Sequence, residues 1–139
     1  MLIGEYQHSI DPKGRIFFPA RLREDLGDSI VMAQGLDGCI AVYPVDEWKI
    51  LDAKIREVSR AKSRELQRCF SSMANEAEID KQGRALIPQK LRDYAGLERD
   101  VVIAGVSTHI EIWDRARWEE RTAEYSSGFM AQMMEELGL

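Results

Sequence analysis

One stretch of this chain occurs twice, and the two copies lie 69 residues apart. Ile10 to Gly27 recurs as Ile79 to Gly96, with identical residues at eight positions. A repeat of this kind indicates a tandem of one small unit, whose two copies pack as a pseudo-twofold pair. A side chain that has a role in the first copy is therefore expected to have the same role in the second.

Each copy predicts the element order β-β-α-β-β. The segment 11–14, Asp-Pro-Lys-Gly, has the composition of a type I turn closing a hairpin, and 80–83 is the matching turn. Pro19 then ends a strand, and Gly27 ends the short helix that follows. We predict an α+β, mainly β, fold in which the strands on either side of each turn pair and the two units combine into one closed or nearly closed β structure.

The similarity continues past the repeated core, with Val31 aligned to Val101 at an offset of 70. One extra residue is therefore expected in the loop after the short helix, where changes of length cost little. These patterns predict a first unit at 5–47, a helical connector at 48–75, a second unit at 76–119 and a C-terminal helical tail at 120–139.

The tail carries apolar residues at helical spacing that nothing in its own unit need cover. They are Phe129, Met130, Met133, Met134 and Leu137. Packing against another subunit is one interpretation, and a frayed or self-packed terminal helix is the other.

The composition is that of an ordinary globular protein, with 45% hydrophobic and 31% charged residues. No segment approaches the roughly 20 apolar residues of a membrane helix, and the first residues lack the pattern of a signal peptide. We therefore expect a cytoplasmic protein with no membrane partner. The formal net charge of −5 is segregated, because residues 49–68 hold seven basic and three acidic residues, and residues 111–139 hold three and seven.

The repeated carboxylates Asp11 and Asp80 raise the possibility of a paired-carboxylate hydrolase. Each one, however, has a complete structural role in its turn and an arginine four positions on that would keep it ionised. The two histidines, His8 and His109, are not equivalent in the repeat, and the two cysteines form no metal or redox motif. We expect no enzyme activity, metal, cofactor or small-molecule substrate.

The repeated arginines are the strongest candidates for a binding site. Arg15 and Arg84 directly follow the turn glycines, where a side chain projects near a hairpin end. A β-ribbon that presents arginine can enter the major groove of DNA and pair with guanine, while neighbouring cations hold phosphates. Two alternatives stay open: solvated surface charge, or an Arg15 that pairs with Asp11. The predicted contacts are Arg15, Lys13, Arg84, Lys81, Arg21 and Arg23, with Asp11, Gly14, Asp80 and Gly83 as structural turn residues.

The segment 4–20, together with the second D-x-x-G-R motif at 80–84, closely resembles the MraZ family over nearly the whole chain. The resemblance implies two AbrB-like (SpoVT-AbrB) units, a double-psi-like or swapped-hairpin barrel with flanking helices, and ring-shaped homo-oligomers. It also implies a nucleoid-associated transcriptional regulator that binds double-stranded DNA at G-rich direct repeats in the promoter of its own division and cell-wall cluster. Arg15 and Arg84 would meet the DNA.

The second motif departs from the first at one cationic position, since Gln82 stands where the first copy has Lys13. We therefore rank Arg15 and Lys13 above Arg84 and Lys81. The alternative function is an oligomeric interaction scaffold, or an antitoxin-like partner of another protein, without specific DNA reading.

Overall fold

The computed structural model describes residues 1–139 and contains eight strands and six helices. The element order confirms β-β-α-β-β in both units, within an α+β fold in which helices occupy more residues than strands, so "mainly β" is wrong. The strands are β1 (Leu2–Ser9), β2 (Arg15–Phe17), β3 (Ser29–Gln34), β4 (Ile40–Pro44), β5 (Asn75–Glu78), β6 (Arg84–Leu86), β7 (Asp100–Ser107) and β8 (Ile110–Asp114). The helices are α1 (Ala20–Leu26), α2 (Val45–Glu57), α3 (Arg60–Cys69), α4 (Gln89–Ala95), α5 (Arg115–Thr122) and α6 (Ser127–Glu136).

The strands form one six-stranded antiparallel sheet and one separate two-stranded ribbon. The order in the sheet is β1-β7-β8-β4-β3-β5, which is symmetric about the line between β8 and β4. The predicted closed barrel is wrong, because β1 and β5 are the free edges of an open sheet. Each edge strand runs into a sharp Asp-x-x-Gly turn, which carries the chain out of the sheet before a ladder can close it.

The strands on either side of each Asp-x-x-Gly turn pair between the units, which contradicts the predicted pairing across the turn, whereas β3 pairs with β4 and β7 with β8 inside their own units. Strand β1 pairs with β7 and β5 pairs with β3, while β2 and β6 pair with each other to form the ribbon. Both turns form as predicted, but each joins two strands that belong to different sheets. A lone hairpin is marginally stable in water, whereas exchange between two copies places every strand against the shared core.

The strand register corrects the alignment of the two copies. Ser29 lies opposite Glu78 in one pairing, and Asp100 lies opposite Ser9 in the equivalent one. Ile30, not Val31, is therefore the counterpart of Val101. The offset rises from 69 in the repeated core to 71 at this strand, so the second copy has two extra residues before β7. The offset returns to 70 where β8 corresponds to β4, so the turn between β7 and β8 is one residue shorter than its counterpart.

The hydrophobic core is shared by both units. Ile16 and Phe18 of the first unit and their counterparts Ala85 and Ile87 of the second are buried in one cluster with both short helices and the inner face of the sheet. Backbone hydrogen bonds cross between the units at the same place, since Phe18 N–H donates to the Gly83 carbonyl at 2.8 Å. The equivalent bond from Ile87 N–H to the Gly14 carbonyl is 2.9 Å long.

The connector and the tail contribute little to that core. Of the residues of α2, only Ile55 is buried, and every residue of α6 is exposed. No helix is long and apolar enough to span a bilayer. The proposed unit boundaries at 5–47, 48–75, 76–119 and 120–139 stay a prediction.

Candidate nucleic-acid interface

The ribbon of β2 and β6 presents two arginines on its outward face. Ile16 and Ala85 point inward and are buried, so the residues on either side of them point outward. Arg15 lies opposite Leu86, and Phe17 lies opposite Arg84. The arginine side chains keep 30% and 31% of their surface exposed. Both side chains are therefore partly exposed to solvent.

The Asp11 carboxylate orients Arg15. Its Oδ1 accepts hydrogen bonds from the backbone N–H groups of Lys13 and Arg15, both at 2.9 Å, and its Oδ2 accepts from Arg15 Nε at 2.7 Å. The pairing of Arg15 with Asp11, left open by the sequence, is thus present. It uses only Nε, because no protein group accepts a hydrogen bond from either Nη. The end of the guanidinium remains available as a pair of parallel donors.

The second turn repeats the backbone of the first but not its side-chain contacts. Asp80 Oδ1 accepts from the backbone N–H groups of Gln82 and Arg84, both at 2.9 Å. Arg84 Nε lies 3.8 Å from Asp80 Oδ2, is buried, and has no hydrogen-bond partner. One Nη of Arg84 instead donates to the side-chain oxygen of Gln82. Arg84 therefore offers fewer free donors than Arg15, on a less firmly held side chain.

Both turn carboxylates are stabilised in their ionised form. The hydrogen bond from the Arg15 backbone N–H is the main influence that lowers the pKa of Asp11 below its ordinary value of 3.8, and the Arg15 side chain adds to it. The Arg84 backbone N–H does the same to the pKa of Asp80. The two carboxylates therefore lie in their turns as fixed anions, each beside the arginine of its own motif.

Acid should destabilise the fold through these two carboxylates. Because folding lowers their pKa, their contribution is complete above pH 3.8 and is lost as the pH falls through the lower folded-state value. We expect Asp11→Asn to reduce the fall in melting temperature between about pH 5 and pH 2.5. Thermal melts across that range measure it, with Glu24→Gln on the exposed side of α1 as the control. An equal fall in melting temperature with pH for Asp11→Asn and the unaltered protein would contradict the expectation.

Helix arginines cross from each unit to the turn of the other. The Arg23 guanidinium lies 5.4 Å from the centre of the Phe17 ring and rests against Gly83. A Cβ on Gly83 would lie 2.7 Å from Arg23 Nη1, and the φ angle of +83° there also favours glycine. Arg92 occupies the equivalent place against Gly14, and its Nε donates to the Ile87 carbonyl at 3.0 Å. The turn glycines thus make room for these arginines.

The other predicted contacts fall in two places. Lys13 and Lys81 are exposed on the turns beside the ribbon, while Arg23 lies at its edge. Arg21 lies apart from them, in a depression formed with Ile3 and Tyr6 near the start of β1. It is therefore not brought to the ribbon with the others.

Three residues of this surface were missing from the predicted set. Arg92 could have been included, because it repeats Arg23 at the common offset. Phe17 and Leu86 could not, since their position on the outward face depends on the pairing of β2 with β6 between units.

The histidines lie apart from each other. The His8 ring is 5.5 Å from Phe17, and His109 stacks on Tyr43 with ring centres 4.8 Å apart. Partial burial lowers the pKa of both imidazoles. No three histidine, cysteine or carboxylate side chains are grouped so that they could hold a metal ion.

Fold and site together define a class: a duplicated α+β unit in which two copies within one chain jointly present an arginine-bearing ribbon. The family model described as "MraZ protein, putative antitoxin-like" matches this chain twice, at residues 1–69 and 70–138. The chain belongs to the MraZ family.

Curated relatives agree with this assignment. A protein of Heliobacterium modesticaldum named transcriptional regulator MraZ is 56% identical over 86% of this chain and 85% of its own. Proteins of the same name from Clostridium beijerinckii and Clostridium tetani are 46% and 47% identical over the full length of both chains.

Proposed function

We propose that the protein is a sequence-specific DNA-binding transcriptional regulator that recognises G-rich direct repeats in the promoter of its own division and cell-wall cluster. Its similarity to relatives named transcriptional regulators supports the general assignment. The observation that assigns this function to the ribbon is the contact of Arg15, which is held by Asp11 through Nε, while neither Nη group donates a hydrogen bond to the protein.

The shape of the ribbon suits the major groove. That groove admits a two-stranded β-ribbon, and its guanines present the O6 and N7 acceptors that a guanidinium binds through two parallel hydrogen bonds. Lys13, Lys81 and the crossing arginines Arg23 and Arg92 surround the ribbon with positive charge that can contact phosphates. Local positive charge permits binding despite the net charge of −5.

A competition gel shift tests this proposal. The labelled probe is the duplex directly upstream of the gene itself, and the competitors are the same duplex unlabelled and a shuffled duplex of equal composition. We expect the promoter to compete at least about a thousandfold better than the shuffled duplex, with affinity falling as salt rises. Equal competition would reject the proposal in favour of the scaffold or antitoxin-like alternative, which instead predicts a stable co-purifying protein.

We also propose that several copies act together as a ring. The stretch at 49–68 is basic and the stretch at 111–139 is acidic, so one copy carries two surfaces of opposite charge. The acidic stretch also contains α6, whose apolar residues are exposed. Contacts between unlike surfaces are head-to-tail and produce rings when the rotation closes. Linked copies on successive DNA repeats raise the total affinity without new contacts.

Loss of α6 should lower both assembly and DNA affinity. A chain ending at Gly128 removes exposed residues only, so the core should remain intact. Light scattering should show a smaller assembly, and promoter affinity should fall by at least about tenfold as linked binding is lost. The full-length variant Met130→Glu should reproduce this result, whereas Gln132→Ala on the same helix should not. An unchanged assembly for the shortened chain would refute α6 as the interface.

A further inference from the structure

The outward face of the ribbon carries an apolar pair between its arginines. Phe17 and Leu86 occupy equivalent positions in the two units, and each lies directly across the ribbon from an arginine of the other strand. Phe17 is 37% exposed and Leu86 is 55% exposed. A single exposed leucine is ordinary, but an apolar residue in both copies at the centre of a cationic face calls for an apolar group on the ligand.

We infer that Leu86, with Phe17 as its counterpart, contacts the methyl groups of thymines beside the guanines that the arginines bind. This inference rests on the proposed function and adds a second recognised base to it. The C5 methyl of thymine is the one apolar group on a base edge in the major groove, and apolar side chains read it.

The spacing on the ribbon agrees with that of DNA. Residues two apart on a strand lie about 6.6 Å from each other, and directly opposite Cβ atoms lie about 5 Å apart. Stacked bases repeat every 3.4 Å along a strand. A guanidinium and an apolar side chain of this face therefore reach base pairs that are neighbours or next neighbours, so one ribbon can read a guanine and a thymine together.

The two apolar positions are not equally free. The Phe17 ring is covered on one side by His8, with ring centres 5.5 Å apart, and on another by Arg23. Ala77 stands at the position equivalent to His8, where it provides no ring to cover Leu86. Leu86 is consequently the more exposed of the pair, and its half of the ribbon is the one in which the methyl contact should be stronger.

Replacing thymine by deoxyuridine removes the methyl group and keeps base pairing, which gives a direct test. Promoter duplexes containing thymine or deoxyuridine are titrated with the unaltered full-length protein, Leu86→Ala and Leu36→Ala. Leu36, in the turn between β3 and β4, is 84% exposed and is the matched control. We expect the unaltered protein and Leu36→Ala to prefer the thymine duplex by about fourfold for each contacted methyl, and Leu86→Ala to lose that preference.

The comparison of both duplexes with both variants separates a methyl contact from a change in duplex shape. Equal binding of the two duplexes by the unaltered protein overturns the inference, as does the same preference in Leu86→Ala. An altered oligomeric state of Leu86→Ala in light scattering would assign the residue to a subunit contact instead. Equal binding of promoter and shuffled duplex by the unaltered protein would overturn the proposed function and the inference together.

Discussion

Arg15→Ala should lower affinity for the promoter by about tenfold to a hundredfold and leave binding to shuffled duplex nearly unchanged. One bidentate contact to guanine discriminates by about 1–3 kcal/mol, and this contact depends on the guanidinium held by Asp11. Arg84→Ala should have a smaller effect, because Gln82 occupies one of its Nη groups. The double variant should lose the product of the two single losses if the two contacts are independent. Gel shifts or fluorescence anisotropy at one fixed salt concentration measure all three.

Two controls separate base reading from general charge. Arg56→Ala removes a surface arginine of α2 that pairs with Asp52, outside the ribbon, and should keep the preference of the unaltered protein for promoter over shuffled duplex. Lys13→Ala should weaken binding to every duplex alike and reduce the slope of the salt dependence by about one. An Arg15→Ala variant that retains promoter preference would remove Arg15 from the site.

Phe18→Ala should destabilise the whole chain by about 3–5 kcal/mol, a large part of the 5–15 kcal/mol that holds a typical domain. The ring is fully buried where the two units meet, and its backbone N–H bonds to Gly83 of the other unit. Because the core is shared, unfolding should remain one cooperative transition with both units lost together. Urea denaturation followed by tryptophan fluorescence and by circular dichroism measures this result.

Leu86→Ala is the matched control for Phe18→Ala, because it truncates a large apolar residue that remains mostly exposed. Its free energy of unfolding should change by no more than about 0.5 kcal/mol. A loss below about 1 kcal/mol for Phe18→Ala, or two separate transitions, would contradict a core common to both units.

The sequence predicts the local structure of this protein well. The Asp-x-x-Gly turns, the helix α1 bounded by Pro19 and Gly27, and the order of elements follow from residues that act on their immediate neighbours. The pairing of Asp11 with Arg15 also lies within one turn, so it could be considered from spacing alone.

The partners of the strands that flank the Asp-x-x-Gly turns could not be predicted in the same way. Pairing within a hairpin and pairing between two equivalent copies satisfy the same hydrophobic pattern, since a duplicated unit offers each strand two similar partners. The choice depends on total burial across the whole core, which no single segment reveals. Two positions follow from that choice and could not be predicted for the same reason: the contact of Arg23 with Gly83 of the other unit, and the outward position of Leu86.

The antiparallel ribbon joins two strands of one polypeptide, and this has a consequence for orientation. A ribbon built from two identical chains would present the same groups at both ends, and a ligand could be turned around without penalty. Here Lys13 stands at one end where Gln82 stands at the other, and the aromatic Phe17 of one half corresponds to the aliphatic Leu86 of the other. The two ends of the ribbon surface are therefore chemically different, so the two orientations of a polymer bound along it are not equivalent.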